Sequence, residues 1–141
     1  ASLVDECVSP DGSVTKPEQS KGTQVVTPEA ARTTVDMLEN VVTKGALTKV
    51  VQITGYRSAL KTGTAEQSNG DGTYGGSFIV SNAGLIPAED PKYVVYVVIA
   101  YPDGDTFMAC PPVFRDVMAQ VIKEYRIQPS TSASPDLAVR F

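Results

Sequence analysis

Nine consecutive residues, Tyr93-Val94-Val95-Tyr96-Val97-Val98-Ile99-Ala100-Tyr101, contain no charged side chain and are dominated by β-branched and aromatic types. Such a run specifies a strand, and it is far too short to cross a bilayer as a helix. A strand with one wet face alternates apolar and polar residues. This one is apolar at both sets of positions, so both of its faces are expected to be covered and it reads as a central strand. Whatever fold the chain adopts must place material on both sides of one sheet.

Two further β-rich stretches precede it, around Tyr56 to Ala65 and Tyr74 to Leu85, separated by clusters of Gly, Asn, Asp and Pro. Parallel neighbours need a crossover of a dozen or more residues, and these connections are shorter, so residues 55–102 read as a three-strand antiparallel meander. Helices flank it. Thr27-Pro28-Glu29 combines an N-cap, a first-turn proline and a carboxylate suited to the helix dipole. It opens a helix over 27–44 with Ala31, Val35, Leu38 and Val42 as its apolar stripe and Gly45 as its stop. Pro111-Pro112 introduces a second helix over 111–126, whose stripe of Phe114, Val117, Met118, Val121, Ile122 and Tyr125 must pack on the sheet. Pro10-Asp11-Gly12 marks a turn, and residues 1–26 read as short strands around a surface loop. The tail over 128–141 is rich in Pro and Ser, and its apolar end, Leu137-Ala138-Val139-Arg140-Phe141, is suited to docking on the body. The class is α+β, an antiparallel meander covered by helices.

A chain of 141 residues is long enough to bury one core without staples. Its formal charge of −4 argues against a nucleic-acid partner. There is no His, which removes Ser-His-Asp and Cys-His nucleophile pairs and every His-containing zinc site. Chemistry must come from Ser, Thr, Lys or carboxylates. Cys7 and Cys110 permit either one disulfide or two separate thiols, and they exclude a CxxC pair and a four-thiolate zinc site, so no metal and no cofactor is implied. The chain opens on Ala with no signal-peptide pattern, so an upstream portion is expected.

Three motif matches are accidental on their contexts. Gly70-Asp71-Gly72-Thr73-Tyr74-Gly75 fits G-x-G-x-x-G, but a strand follows where a dinucleotide fingerprint requires a helix. Ser13-Val14-Thr15-Lys16 fits S-x-x-K, yet Pro17 disfavours the helical conformation that would bring Lys16 to Ser13. Ser58-Ala59-Leu60-Lys61 fits too, but in a strand positions i and i+3 point to opposite faces.

Lys61-Thr62-Gly63-Thr64 stands apart. An ammonium and a hydroxyl bind a carboxylate, and an edge strand offers unpaired backbone groups to an extended peptide. Gly63 lets an acyl group or a facing helix approach the backbone, and the Thr64 amide is placed to serve as half of an oxyanion hole. Alternation would separate the Lys61 and Thr62 side chains, so strand twist is expected to let both reach one ligand.

The flanks extend the motif. The stretch Gly55-Tyr56-Arg57-Ser58-Ala59-Leu60-Lys61-Thr62-Gly63-Thr64-Ala65-Glu66 resembles the G-Y-x-x-A-G-K-T-G-T-A segment of penicillin-binding proteins, especially the class B transpeptidases. Gly84-Leu85-Ile86-Pro87-Ala88-Glu89-Asp90-Pro91-Lys92-Tyr93 is similar to that family's G-x-x-P-A-x-x-P-K-Y, and Pro112-Val113-Phe114 to its P-V-F helix opening. Most of residues 23–127 follow the family's order.

The resemblance implies a partial penicillin-binding/serine β-lactamase-like domain, with this chain as its carboxy-terminal portion. It implies a peptidoglycan D,D-transpeptidase whose serine is acylated by a D-alanyl-D-alanine stem peptide or by β-lactams. Lys61 would bind the substrate carboxylate and support the S-x-N hydroxyl, Thr62 would bind the carboxylate, and Thr64 would supply the oxyanion amide, with Gly63 between them. The family's S-x-x-K lies far upstream of K-T-G. This sequence has no S-x-N, and Ser13 stands too close to Lys61. The nucleophile is therefore expected outside the chain, which alone should be inactive. Leu60 replaces the usual Gly and is expected to crowd the site or its packing wall.

The implied partners are stem peptide and β-lactams in the parent, and the missing amino-terminal part of the domain. In the family the meander's third strand pairs with an amino-terminal strand absent here, which implies association through an uncovered edge. The implied location is the extracytoplasmic face of the bacterial membrane, with an anchor upstream. Two other readings stay open: a β-lactamase or D,D-carboxypeptidase relative, and a noncatalytic module that holds a peptide carboxylate on the Lys61 to Thr64 edge.

Overall fold

A computed structural model describes residues 4–18 and 22–136. The chain runs β1 (Cys7–Val8), β2 (Val14–Thr15), α1 (Pro28–Lys44), α2 (Thr48–Val51), β3 (Ala59–Ser68), β4 (Tyr74–Ile86), β5 (Tyr93–Ala100), α3 (Thr106–Ala109) and α4 (Pro111–Glu124). The strands β1 and β2 pair antiparallel around the turn at Asp11, whose carboxylate accepts from the Ser13 amide at 2.9 Å. The Thr27 hydroxyl caps α1 by accepting from the Ala30 amide at 3.1 Å. At the other end of α1, a Cβ on Gly45 would stand 2.4 Å from the Val41 carbonyl oxygen, so only glycine fits there.

The main sheet has the order β3-β4-β5, antiparallel throughout. The β3–β4 register runs from Ala59 opposite Leu85 to Ser68 opposite Tyr74, with an irregularity between Glu66 and Ser68. At the hairpin tip Asp71 accepts from the Thr73 amide at 2.9 Å and its hydroxyl at 2.6 Å, which holds the Asp71 carboxyl below the usual carboxylate range. The core lies on one face of this sheet. Leu60, Ile86 and Val95 meet Val42, Leu47 and Val51 from the α1–α2 region, and Phe114, Met118 and Ile122 from α4. The last three recur every four residues, the spacing of a helix's buried stripe.

The structure corrects two expectations. First, β5 is an edge strand and β4 is the central one. Among the described residues only one face of β5 is covered: Val95 is buried, whereas Val94, Tyr96 and Val98 are 77%, 64% and 48% exposed. An all-apolar run reports two apolar faces, but here α4 packs on one of them and the described residues leave the other bare. Second, the deepest residues of α1 include Glu39 and Asn40 beside Val42, while Ala31 is exposed and Val35 and Leu38 are half-buried. Glu39 escapes the usual rule against buried charge by pairing with Arg57 through two hydrogen bonds, 2.7 and 2.8 Å.

The tail from Gln128 to Asp136 lies across that ion pair. The Arg57 amide donates to Ser130 Oγ, its guanidinium to Ser132 Oγ, and Ser134 Oγ donates to Glu39 Oε1. Lys44 and Asp136 form a further ion pair. The apolar end Leu137 to Phe141, read as a docking segment, lies outside the described residues. Cys7 is exposed, Cys110 is buried, and both are free thiols. No helix among the described residues is long and apolar enough to cross a membrane.

Candidate functional site

Lys61 to Thr64 occupy the first half of β3, a sheet edge and therefore a row of backbone groups of which every second one faces away from β4. The strand is held at its root. Arg57, two residues before β3, is clamped to Glu39 of α1, and this contact raises the guanidinium's pKa so that it stays charged. The position of Lys61 is thus referred to a buried ion pair four residues away.

The Lys61 stem folds back along the strand, and its ammonium donates to the Thr62 carbonyl at 2.7 Å. Lys61 and Thr62 consequently share one cleft of about 350 Å3, walled by Val41, Gly45, Ala46, Leu47 and Phe107. Thr62, Gly63 and Thr64 border a second, smaller chamber with Val80, Asn82, Thr106, Phe107 and Cys110. The four motif residues therefore serve two adjoining spaces that have Thr62 and Phe107 in common. A carboxylate in the larger cleft would meet a cation and a hydroxyl against an apolar wall, where low local polarity strengthens the attraction.

Among the described residues, the nearest neighbour of Gly63 on its side-chain side is a strand residue and not a helix. A Cβ there would come 2.6 Å from Ser81 Oγ, the hydroxyl opposite it on β4. Leu60 is fully buried in the core, so its bulk presses on the packing wall rather than on the cleft. Ser58 is buried while Lys61 is exposed, which keeps those two apart. Ser13 sits in the β1–β2 turn region just before β2, and Gly70 to Thr73 form the β3–β4 turn, where the Asn69 amide meets the Thr73 carbonyl. No group of three or more metal-ligating side chains occurs among the described residues.

The sequence reading missed Asn82, Thr106, Phe107 and Leu47 as neighbours of the motif. The short helix α3 brings in Thr106 and Phe107, and it had a legible start: the Asp105 carboxylate accepts from the Phe107 amide at 2.9 Å, an N-cap that Asp105-Thr106 announces. Asn82 gave no such signal, because a polar residue in a strand ordinarily faces water.

Comparison with known proteins bears on the family and the fold. The family model of the penicillin binding protein transpeptidase domain matches residues 1–119. The penicillin-binding protein PbpB of Mycolicibacterium smegmatis is 29% identical over 98% of this chain and 23% of its own length. The peptidoglycan D,D-transpeptidase FtsI of Escherichia coli K12 is 34% identical over 88% of this chain and 22% of its own length. The chain therefore spans about a quarter of these relatives. Among solved structures, penicillin binding protein 3 of Mycobacterium tuberculosis complexed with ampicillin superposes with a TM-score of 0.76 at 26% identity, over 94% of this chain and 32% of that one. Its complex with aztreonam superposes at 0.73, again at 26% identity, over 90% of this chain and 31% of that one. A meander with a K-T-G edge strand, a family match over most of the length and this structural agreement give one conclusion: the chain belongs to the penicillin binding protein transpeptidase domain family.

Proposed function

We propose that this chain is the carboxy-terminal portion of a peptidoglycan D,D-transpeptidase domain and supplies the K-T-G wall of its site. The observation that carries this reading is the cleft in which Lys61 and Thr62 stand side by side on an exposed strand edge. In this reading Lys61 and Thr62 hold the terminal carboxylate of a stem peptide or a β-lactam. The substrate lies extended along β3, with Gly63 beneath it. A serine hydroxyl from outside this chain attacks the scissile carbonyl and gives up its proton to a base on the same part. The carbonyl oxygen takes the negative charge, and the Thr64 amide donates to it as one half of an oxyanion hole. Collapse of the adduct breaks the C–N bond as the base returns the proton to the departing amine. That amine leaves as D-alanine from a stem peptide and stays tethered in the opened ring of a β-lactam. In the acyl-serine from a stem peptide, a second stem peptide's amine then attacks the ester carbonyl. Its proton passes through the base to the serine oxygen, and the C–O bond breaks to form the cross-link and free the serine. The place of action is the extracytoplasmic face of the membrane, reached through an anchor in the parent protein.

A fluorescent penicillin tests the reading. The isolated chain is expected to take no covalent label, and the parent transpeptidase to label. Lys61→Ala in the parent is expected to weaken labelling roughly 10- to 150-fold, the equivalent of one charge-assisted hydrogen bond of about 1.5–3 kcal/mol. Covalent labelling of the isolated chain, or full labelling of the Lys61→Ala parent, overturns it. Reversible carboxylate binding with no acylation in the parent would favour the noncatalytic module instead.

A further inference from the structure

The smaller chamber beside the motif strand measures about 30 Å3, and Thr62, Thr64, Asn82, Thr106 and Cys110 all border it. Asn82 is 2% exposed, and its Nδ2 reaches no acceptor on the protein. A buried amide N–H without an acceptor is costly, and folded proteins satisfy nearly all of them. Its ladder neighbours are fixed: Thr62 lies directly opposite on β3 and Val97 on β5. The Cys110 thiol is committed elsewhere, since it donates to the Val97 carbonyl at 3.5 Å. Burial pushes that thiol's pKa up, so it remains a protonated donor. Thr62, Thr64 and Thr106 also border the chamber and carry hydroxyls able to accept, and none of them partners Nδ2 directly. A polar space of this size holds one water, which takes two to four hydrogen bonds.

We propose that the chamber is a binding site for a single structural water held by Asn82 Nδ2 and the threonine hydroxyls, and that Asn82, acting through this water, is a positioning residue for Thr62 and Thr64. The water ties the central strand to the motif strand and to the first turn of α3. Thr62, which borders both the chamber and the larger cleft, is thereby steadied between them. The water site stands on the chamber's own geometry, whereas its effect on acylation rests on the function proposed above.

Two measurements separate these halves. A crystal structure of the 141-residue chain at a resolution that shows ordered solvent is expected to place a water about 2.9 Å from Asn82 Nδ2. Asn82→Leu is expected to fill the chamber and remove it. A wild-type chamber without that water overturns the site. In the parent transpeptidase, Asn82→Leu is expected to slow acylation by a β-lactam about tenfold without lowering the melting temperature, and Asn82→Thr to recover most of the rate. If Asn82→Leu folds poorly, Asn82→Val, which also replaces the amide with apolar bulk, is read the same way. A rate loss that follows the melting temperature and is not rescued by Asn82→Thr overturns the positioning role. An unchanged rate in Asn82→Leu beside a slowed Lys61→Ala also overturns it, and leaves the reading of the motif intact. Unchanged rates in both overturn that reading as well.

Discussion

Two glycines in neighbouring strands face different obstacles, and the difference sets what each tolerates. A Cβ on Gly84 would stand 2.5 Å from the Phe114 ring and 2.6 Å from the Ala59 carbonyl oxygen. Neither can retreat: Phe114 is locked in the core, and Ala59 lies in the β3–β4 ladder. A Cβ on Gly63 would meet only the Ser81 hydroxyl, which turns away by a rotation about one bond. Gly84→Ala is therefore expected to lower the unfolding free energy by roughly 1–3 kcal/mol, the usual cost of overpacking a tight core, and Gly63→Ala by less. Urea melts of the two variants check the order, and equal losses would show that the ring of Phe114 moves freely. Sequence carried Gly84 only as a letter in a family pattern. The reason for the letter is a helix that arrives about thirty residues later, and such a contact has no local trace.

Among the elements, those with local grammar were legible and those set by tertiary contact were not. Thr27-Pro28 and Gly45 bracket α1, and the Gly, Asn and Asp clusters fall between the strands, because caps and turns are decided by a few adjacent residues. The buried side of α1 was misread for the opposite reason. Glu39 is polar in any sequence scan, and only the fold supplies Arg57 and the serines of the tail. The strap from Ser130 to Ser134 thus seals a carboxylate that is 0% exposed against a guanidinium that is 13% exposed. Removing one partner leaves an uncompensated buried charge, so Glu39→Ala is expected to cost about 3–5 kcal/mol. Replacing both, as in Glu39→Leu with Arg57→Met, is expected to recover most of that loss, because the burial penalty of both ions disappears together. Chemical denaturation of the single and double variants gives the coupling directly. A double variant as unstable as Glu39→Ala would mean that the tail's hydrogen bonds, not the charges, hold α1 to the root of β3.

At the scale of the molecule the decisive fact is an imbalance. One face of the sheet carries the whole core, while the opposite face of β5 presents Val94, Tyr96 and Val98 to solvent along an unpaired edge. Exposed apolar residues scattered singly need no explanation, but three in a row on an open strand make a template for another strand. The meander order places β5 at an edge, as the family resemblance implies, whereas the apolar pattern reports only which surfaces must be covered and is silent on whether the covering element belongs to the same chain. The chain spans about a quarter of its relatives, and on the function proposed above the rest of the transpeptidase domain would supply the partner surface. In its absence a second copy is the available substitute, β5 against β5. Sedimentation velocity of the isolated chain is expected to show a monomer that gives way to a dimer as concentration rises. Tyr96→Lys with Val98→Lys is expected to restore the monomer, since paired lysines repel across the new strand pair and desolvate poorly. A single monomeric species at every concentration would refute the edge as an association surface. Addition of the amino-terminal part of the parent domain is expected to compete with dimerisation, because both occupants need the same backbone groups of β5.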